Sequence, residues 1–186
     1  MVRRESEWVT LPSLEALHNV GLAPTPLAAK EGLSLINGTS QMCTYLALTI
    51  MNLDKLVFAA DASAATSLEG IKGSHSPFDK RIHDNRPQIG QSISAARISA
   101  FLRGSEIEIS HANCDRVQDA YCFRCAPQVH GPVIDLLTET RRMLEIEINS
   151  ATDNPLVFTN QEEIDVISGG NFHGQNLALA SDSIAI

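Results

Sequence analysis

The sequence predicts a mainly α-helical fold built on long helices, with short irregular or β segments between them. Residues 41–68 are rich in Ala, Leu, Met and Ile at close to helical spacing, and residues 127–150 place apolar side chains on one broad helical face. A third, Ala-rich segment follows Asn171. Because the first segment is apolar nearly all round, we expect it to be buried in a helix bundle or an oligomer interface.

Composition limits the class of protein and its partners. With 186 residues, 44% of them apolar and 19% charged, the chain can form one sizeable domain and is neither disordered nor membrane-spanning in character. Lys and Arg total 14 against 22 Asp and Glu, a net charge of −8, which argues against a nucleic-acid partner. Four irregularly spaced cysteines and an amino terminus without an apolar signal core predict the reducing cytoplasm.

The amino-terminal part predicts short elements separated by turns. Residues 1–12 resemble an irregular segment, after which Ser13 could cap a short helix that ends at Gly21. Asn37-Gly38 is a turn signal, and Thr39 or Ser40 could cap the long apolar helix that follows. Turn chemistry alone would therefore explain Asn37.

The middle of the chain alternates between breaks and helices. Residues 70–91 contain glycines and prolines and read as a break, in which His75 and His83 are expected to be solvated. A helix is predicted over 92–102, and residues 107–119 are expected to form a loop. The helix over 127–150 begins at Pro127, and Pro132 should kink it or shorten its first turns.

The remaining residues predict surface ion pairs, a strand and a glycine-rich turn. Glu139 with Arg142, and Arg141 with Glu145, have the spacing of helical ion pairs. Asp153-Asn154-Pro155 ends the helix, and Leu156-Val157-Phe158 predicts a short strand. Ser168-Gly169-Gly170 then delivers Asn171, Phe172 and His173 to the start of an Ala-rich helix, in which the sequence stops without a helix-ending signal, as a piece of a longer chain would.

The densest chemistry lies in residues 118–130, QDAYCFRCAPQVH. Gln118, Tyr121 and Arg124 are spaced by three, so in a helical turn they would project from one face. The planar guanidinium of Arg124 could bind a carboxylate through two parallel hydrogen bonds, and Tyr121 could then act on a proton nearby. An ordinary polar stripe on a surface helix would have the same spacing.

Cysteine and histidine spacing argues against a metal site. Cys122 and Cys125 form one CxxC, with Cys114 and His130 nearby, but no second CxxC or HxxxH exists to complete a zinc site. The polar residues before the motif do not suit a thioredoxin-like redox unit either. We therefore predict no metal and interpret the cysteines as packed thiols.

Five motifs together resemble the aromatic amino acid ammonia-lyases, and within that family most closely the members that act on histidine. They are INGTSQ, SPFDKRIHD, VQDAYCFRCAPQVHG, EINSATDNPLVF and ISGGNFHGQNLALASD, in family order from about residue 22 to the end. The resemblance implies a long-helix bundle assembled as a homotetramer, with composite active sites. It also implies a methylidene-imidazolone (MIO) electrophile, formed autocatalytically from Ala-Ser-Gly.

The resemblance assigns roles to six residues, all for a small amino acid substrate. Tyr121 would act in proton transfer, and Asn37 would lie beside the electrophile. Arg124 would bind the substrate carboxylate with support from Gln118. Phe172 would line the pocket for the substrate ring, with His173 next to it, although an imidazole at a helix start could simply be hydrogen-bonded.

The sequence departs from the family by containing no Ala-Ser-Gly. The resemblance implies that residues 1–186 are the central segment of the helical domain, with the amino-terminal MIO-bearing region and the carboxyl-terminal helical region absent. Since acid–base catalysis alone contributes only about 10²–10⁴-fold, we expect this chain to be inactive alone. It would be a fragment, a complementing half of a split lyase, or a remnant.

Two function hypotheses follow. The first is a segment of a lyase that converts L-histidine to trans-urocanate and ammonia in histidine catabolism, with a tyrosine or phenylalanine ammonia-lyase or aminomutase segment as the alternative, because QDAYCFR also occurs in tyrosine-acting members. The second is a non-enzymatic oligomerisation module derived from the family. Under the first hypothesis, replacing Arg124 by Ala would abolish turnover in a complemented enzyme. Under the second, the same replacement would leave the association with partners intact.

Overall fold

A computed structural model describes residues 2–4, 7–160 and 163–186, and the fold is mostly helical, as predicted. It divides into two compact units, one ending at Asn37 and the other beginning at Gly38. The helices are α1 Ser13–Asn19, α2 Glu31–Ile36, α3 Ser40–Gly70, α4 Lys80–Asp84, α5 Ile89–Leu102, α6 Glu106–Ser110, α7 Tyr121–Arg124, α8 Ala126–Ile148 and α9 Gln175–Ala185. A short 3-10 helix, Ser76–Phe78, precedes α4. The strands are β1 Val2–Arg4, β2 Glu7–Val9, β3 Leu156–Thr159 and β4 Ile164–Ile167.

The first unit contains an antiparallel hairpin and two short helices. The expectation of an irregular segment over residues 1–12 was wrong, because β1 pairs with β2 in the register Val2↔Val9. Helix α1 ends as predicted at Gly21, whose φ of 72° and N–H bond to the His18 carbonyl form a left-handed helix end. Ser13 is the first residue of α1 and makes no capping bond, so that prediction was wrong.

The second unit is organised around α3, which has 31 residues and packs on α5, α8 and α9. Its first half shares one core with α8 and α9, and its second half shares another with α5 and the start of α8. The first core contains Cys43, Leu46, Ile50, Val57, Leu137, Leu144, Leu177 and Ala180. The second contains Ala65, Leu68, Phe78, Ile98, Leu102 and Ala126. Each fully buried leucine contributes about 1.5–3 kcal/mol.

The apolar character of α3 also satisfies a membrane-helix criterion. The segment Glu31–Gly70 has a best-window mean hydropathy of 1.3 and passes by length and composition alone, as the core helices of soluble proteins do. In the structure, Asp61 on this helix is fully buried and bonded to side chains of α5 and α8. A buried carboxylate with protein partners is the behaviour of a helix that packs on other helices.

Helices α5 and α8 meet at two glycines. A Cβ on Gly90 would lie 2.0 Å from the Gly131 carbonyl oxygen, and one on Gly131 would lie 2.4 Å from the Gln91 nitrogen. The Gly90 N–H donates to Asp135 Oδ1 at 2.8 Å, so α8 supplies an acceptor to the open amino end of α5. Pro132 lies inside α8 and does not shorten it, so of the two predicted effects the shortening was wrong.

Two other expectations about helices and ion pairs were wrong in part. Residues 106–110 form α6 rather than a loop, because Ser105 caps this turn by accepting from the Ile107 N–H at 3.1 Å. Arg142 pairs with Glu139 as predicted, but Arg141 bonds Asp54 on α3 instead of Glu145. The predicted short strand is confirmed as β3, paired with β4.

Replacing Gly131 by Ala should lower the free energy of unfolding by about 1–3 kcal/mol, because the new methyl group meets the backbone of α5. Gly70 on α3 is the matched control, since a Cβ there meets nothing within 4 Å. Gly70→Ala should be neutral or stabilising by up to about 1 kcal/mol. Urea unfolding of both variants checks this, and equal stabilities would contradict the close approach.

Candidate functional site

Three residues of the 118–130 motif, Gln118, Asp119 and Arg124, line a cavity of about 740 Å³ beyond the carboxyl end of α3. Its walls are the loop of residues 72–79, residues 102–104 and the segment 116–119, together with Arg124. Arg124 and Gln118 both line it, whereas Tyr121 does not. The structure therefore brings two of the predicted site residues to one cavity and leaves the phenol beside it.

The predicted single face of Gln118, Tyr121 and Arg124 is only partly present. Tyr121 and Arg124 are the first and last residues of α7. Gln118 lies outside it, because Ala120 has an extended backbone with ψ of 146° and breaks the helical repeat. Tyr121 is 73% exposed, and neither it nor Gln118 makes a side-chain hydrogen bond within the described residues.

Arg124 is held by the main chain. Its Nε–H donates to the Asp119 carbonyl oxygen at 2.9 Å, and its side chain is half-buried. This bond occupies Nε, the guanidinium nitrogen nearest the main chain. The two terminal nitrogens of Arg124 make no hydrogen bond to the described residues, and their geometry matches a carboxylate.

Asp119 is a buried residue that the sequence prediction missed. Its Oδ2 accepts from the Ser74 N–H at 2.6 Å, and its Oδ1 accepts from Arg116 Nη1 at 2.8 Å. Burial alone would raise the pKa of this carboxyl, but the Ser74 bond, Arg116 and Arg124 hold its pKa below the usual value. Since Ser74 is 45 residues away in sequence, no local spacing could have indicated the pair.

His83 is buried and His75 is partly buried, and both are hydrogen-bonded to protein groups, so the prediction that they are solvated was wrong. His83 is 2% exposed; its Nε2–H donates to the Pro77 carbonyl at 3.1 Å, and its Nδ1 accepts from the Gln91 amide at 3.0 Å. His75 bonds Glu69 at the end of α3 at 2.7 Å. These bonds fix the loop that forms one wall of the cavity.

Phe172 and His173 lie in a different place, beside the amino end of α3. Asn154 Oδ1 accepts from Ser168 Oγ at 3.1 Å and from the Gly169 N–H at 2.8 Å, which ties the glycine-rich turn to the segment between α8 and β3. A Cβ on Gly174 would lie 2.7 Å from Met42 Sδ in the first turn of α3. Phe172 is 40% exposed, and His173 is exposed with no side-chain hydrogen bond in the described part of the chain.

Asn37 belongs to the first unit, where it ends α2. Its backbone is extended, with φ −93° and ψ 156°, and its N–H donates to the Leu33 carbonyl. The next residue, Gly38, begins the second unit with φ 94°, and a Cβ there would lie 2.2 Å from the Thr152 carbonyl oxygen. Only glycine fits this close approach.

The length of α3 separates the two groups of site residues. At 1.5 Å per residue, its 31 residues span about 45 Å. The cavity with Arg124 lies at the carboxyl end of this helix, and the turn with Phe172 and His173 lies at its amino end. One small amino acid cannot contact both groups within a single chain.

The chain does not supply the tripeptide from which the MIO group forms. The nearest strings are Ala62-Ser63-Ala64, in the middle of α3, and Ser168-Gly169-Gly170, whose Gly169 N–H is bonded to Asn154. Neither has the Ala-Ser-Gly sequence, so these residues do not fit as a source of the group. No group of three or more His, Cys, Asp or Glu side chains suited to a metal ion occurs among the described residues.

Comparisons with known proteins agree on one family. The family model "Aromatic amino acid lyase" matches residues 3–186. Histidine ammonia-lyase from Myxococcus xanthus is 49% identical over 176 residues, covering 95% of this chain and 34% of that protein. The crystal structure of histidine ammonia-lyase from Trypanosoma cruzi superposes with a TM-score of 0.78 at 40% identity, covering 92% of this chain and 31% of that one.

A tyrosine aminomutase from Streptomyces globisporus has a similar structure. It superposes with a TM-score of 0.81 at 36% identity, covering 97% of this chain and 37% of that one. The chain thus spans about a third of the length of the proteins it matches.

Replacing Asp61 by Ala should lower the free energy of unfolding by about 2–3 kcal/mol. The fully buried carboxylate accepts from Ser94 Oγ at 2.5 Å and is 2.9 Å from His130 Nδ1. In the alanine variant the Ser94 hydroxyl and the His130 imidazole would both lose this hydrogen-bond partner. Asp54, two turns earlier on α3, is the control, because its pair with Arg141 is exposed and should contribute less than about 1 kcal/mol. Similar losses in the two alanine variants, measured by urea unfolding, would contradict this assignment.

The stabilising contribution of Asp119 should disappear in acid. Since its folded-state pKa lies below the unfolded value near 3.8, the contribution is complete above about pH 4 and is lost as the pH falls through the lower folded-state pKa. The stability difference between the wild type and Asp119→Asn should therefore be constant from pH 5 to 7 and shrink below pH 4. Urea unfolding across this range checks it, and a pH-independent difference would contradict it.

Proposed function

Because this chain belongs to the aromatic amino acid lyase family, we propose that it is the central part of an ammonia-lyase that eliminates ammonia from L-histidine to give trans-urocanate. The observation that carries the proposal is Arg124, which lines a cavity, is half-buried, and is held through Nε by the Asp119 carbonyl, so that its terminal nitrogens could bind a carboxylate. The identity of 49% to a histidine ammonia-lyase supports histidine as the substrate.

Each residue of the proposed site would act on a different part of the substrate. Arg124 binds the carboxylate through two charge-assisted hydrogen bonds. Tyr121 removes the proton from the β-carbon as general base while the amino group leaves the α-carbon, and Phe172 packs against the imidazole ring. The MIO group would activate the amino group as a leaving group, with Asn37 beside it. It would come from an Ala-Ser-Gly segment outside these 186 residues, without which the chain is inactive.

We propose that the complete site combines residues from more than one copy of the chain, as in a homotetramer. The separation of Arg124 from Phe172 by the length of α3 supports this arrangement, since the two ends can meet at one substrate only across an interface. The long helices also leave apolar side chains exposed, which are candidates for such an interface. They include Tyr45, Leu48, Met51 and Phe58 on α3 and Val129, Val133 and Ile146 on α8.

Complementation between two inactive variants tests the function and the composite site together. In a lyase assembly that includes the electrophile-bearing segment, Arg124→Ala and Phe172→Ala should each abolish ammonia release from L-histidine. Chains of both kinds, coexpressed, should recover activity up to about a quarter of the wild type, because some sites then take an intact Arg124 from one copy and an intact Phe172 from another.

A matched pair from one end of the chain is the control. Tyr121→Phe and Arg124→Ala alter the same short helix, so mixed assemblies should form no intact site. Recovery equal to the first pair would contradict the composite arrangement, and a wild-type assembly that releases no ammonia from L-histidine would contradict the function.

A tyrosine-acting enzyme is the second candidate. The similarity to a tyrosine aminomutase structure and the QDAYCFR sequence favour it. If the same wild-type assembly turned over L-tyrosine in preference to L-histidine, the tyrosine-acting candidate would be the correct one.

A further inference from the structure

We propose that Asp119 is a positioning residue that aims the guanidinium of Arg124 at the substrate carboxylate. This inference deepens the proposed function and rests on it, because it assumes that Arg124 binds a carboxylate. Asp119 itself would not contact the substrate.

The main chain of Asp119 makes the bond that orients Arg124. The Nε–H of Arg124 donates to the carbonyl oxygen of Asp119 at 2.9 Å. This hydrogen bond restricts rotation of the guanidinium, because the Nε–H must stay within reach of its acceptor. The direction of the two terminal nitrogens therefore depends on where the Asp119 carbonyl lies.

The side chain of Asp119 fixes that carbonyl. Residues 113–120 form no helix or strand in the structure, so the segment lacks a regular ladder of backbone bonds to hold it. The carboxylate, with 4% of its side chain exposed, anchors the segment to the Ser74 N–H at 2.6 Å and to Arg116 at 2.8 Å. Ser74 follows the end of α3, so Asp119 connects Arg124 to the longest helix of the fold.

The loop backbone next to Ser74 is also closely packed. A Cβ on Gly73 would lie 2.5 Å from Leu68 Cδ1 and 3.2 Å from Asp119 Oδ2. The loop backbone thus passes directly against the buried leucine and the carboxylate. Leu68 is completely buried in the second core, so the loop at this anchor point packs directly on the core.

Loss of the carboxylate would have two opposing effects on a bound anion. Asp119→Asn removes a negative charge close to Arg116 and Arg124, which would strengthen anion binding. It also weakens both anchoring bonds, which would misdirect Arg124 and weaken binding. The buried carboxylate is screened little by salt, so the first effect persists at any ionic strength and can only strengthen anion binding. Weaker binding of an anion to Asp119→Asn therefore reports the loss of positioning.

Binding of two probes to the assembled lyase separates positioning from general damage. Imidazole propionate carries the carboxylate without the amine, and histamine carries the amine without the carboxylate. Asp119→Asn should raise the Kd of imidazole propionate about tenfold and change that of histamine less than about twofold. Asp54→Asn, the same substitution at an exposed carboxylate, should change neither. Calorimetry measures the six Kd values, for two probes on the wild type and on each of the two variants.

A double variant tests whether Asp119 acts through Arg124. Arg124→Gln alone should weaken the binding of imidazole propionate at least as much as Asp119→Asn does. Adding Asp119→Asn to Arg124→Gln should cause no further loss of affinity. Arg116→Gln, which removes only one anchor, should give a smaller effect of the same sign and serves if Asp119→Asn does not fold. The inference would be overturned if Asp119→Asn left the affinity for imidazole propionate unchanged or weakened the binding of both probes equally. It would also be overturned if the losses of affinity from Arg124→Gln and Asp119→Asn were additive in the double variant.

The orientation of Arg124 can also be measured without any ligand. In the 186-residue chain, exchange of the Arg124 Nε proton with solvent, followed by NMR, should be slowed by its bond to Asp119 and become about tenfold faster in Asp119→Asn. An unchanged exchange rate would overturn the inference. This measurement holds even if the assembly proves to have no lyase activity, which would overturn the proposed function alone.

Discussion

The length of α3 is the constraint on which the rest of the structure depends. Its carboxyl end anchors the loop and cavity that hold Arg124, and its amino end contacts the turn that carries Phe172. Helix α8 runs back along it, from the second core to the first. The motifs that are dense in chemistry therefore form two groups at opposite ends of a helix about 45 Å long, and under the proposed function their residues would act together across an interface between chains.

Specific polar contacts fix the helices around α3 in one arrangement. Asp61, fully buried, is bonded to Ser94 on α5 and to His130 on α8, so a single carboxylate connects three helices. The contact between Gly90 and Gly131 holds α5 and α8 at backbone distance. Apolar packing alone tolerates sliding of one helix along another, whereas these contacts are satisfied in only one register.

The sequence predicted features that depend on local physics. The extents of α3 and α8, the helix end at Gly21 and the strand β3 follow from periodicity and turn chemistry. It failed where partners are distant or the backbone is irregular. The acceptors of His75 and His83, the anchoring of Asp119 and the extended backbone at Ala120 depend on tertiary contacts. The motifs indicated the chemistry of the site residues, but only the fold shows which of them are neighbours.

The bond pattern around Asn154 has a consequence for how substrate preference can change. Asn154 holds the glycine-rich turn that presents Phe172, and no residue of that turn contacts the Asp119 and Arg124 segment among the bonds described. Under the proposed function, recognition of the ring and recognition of the carboxylate are therefore separate modules at opposite ends of one chain. Mutations can diversify the first for new side chains while the second, common to every amino acid, stays unaltered.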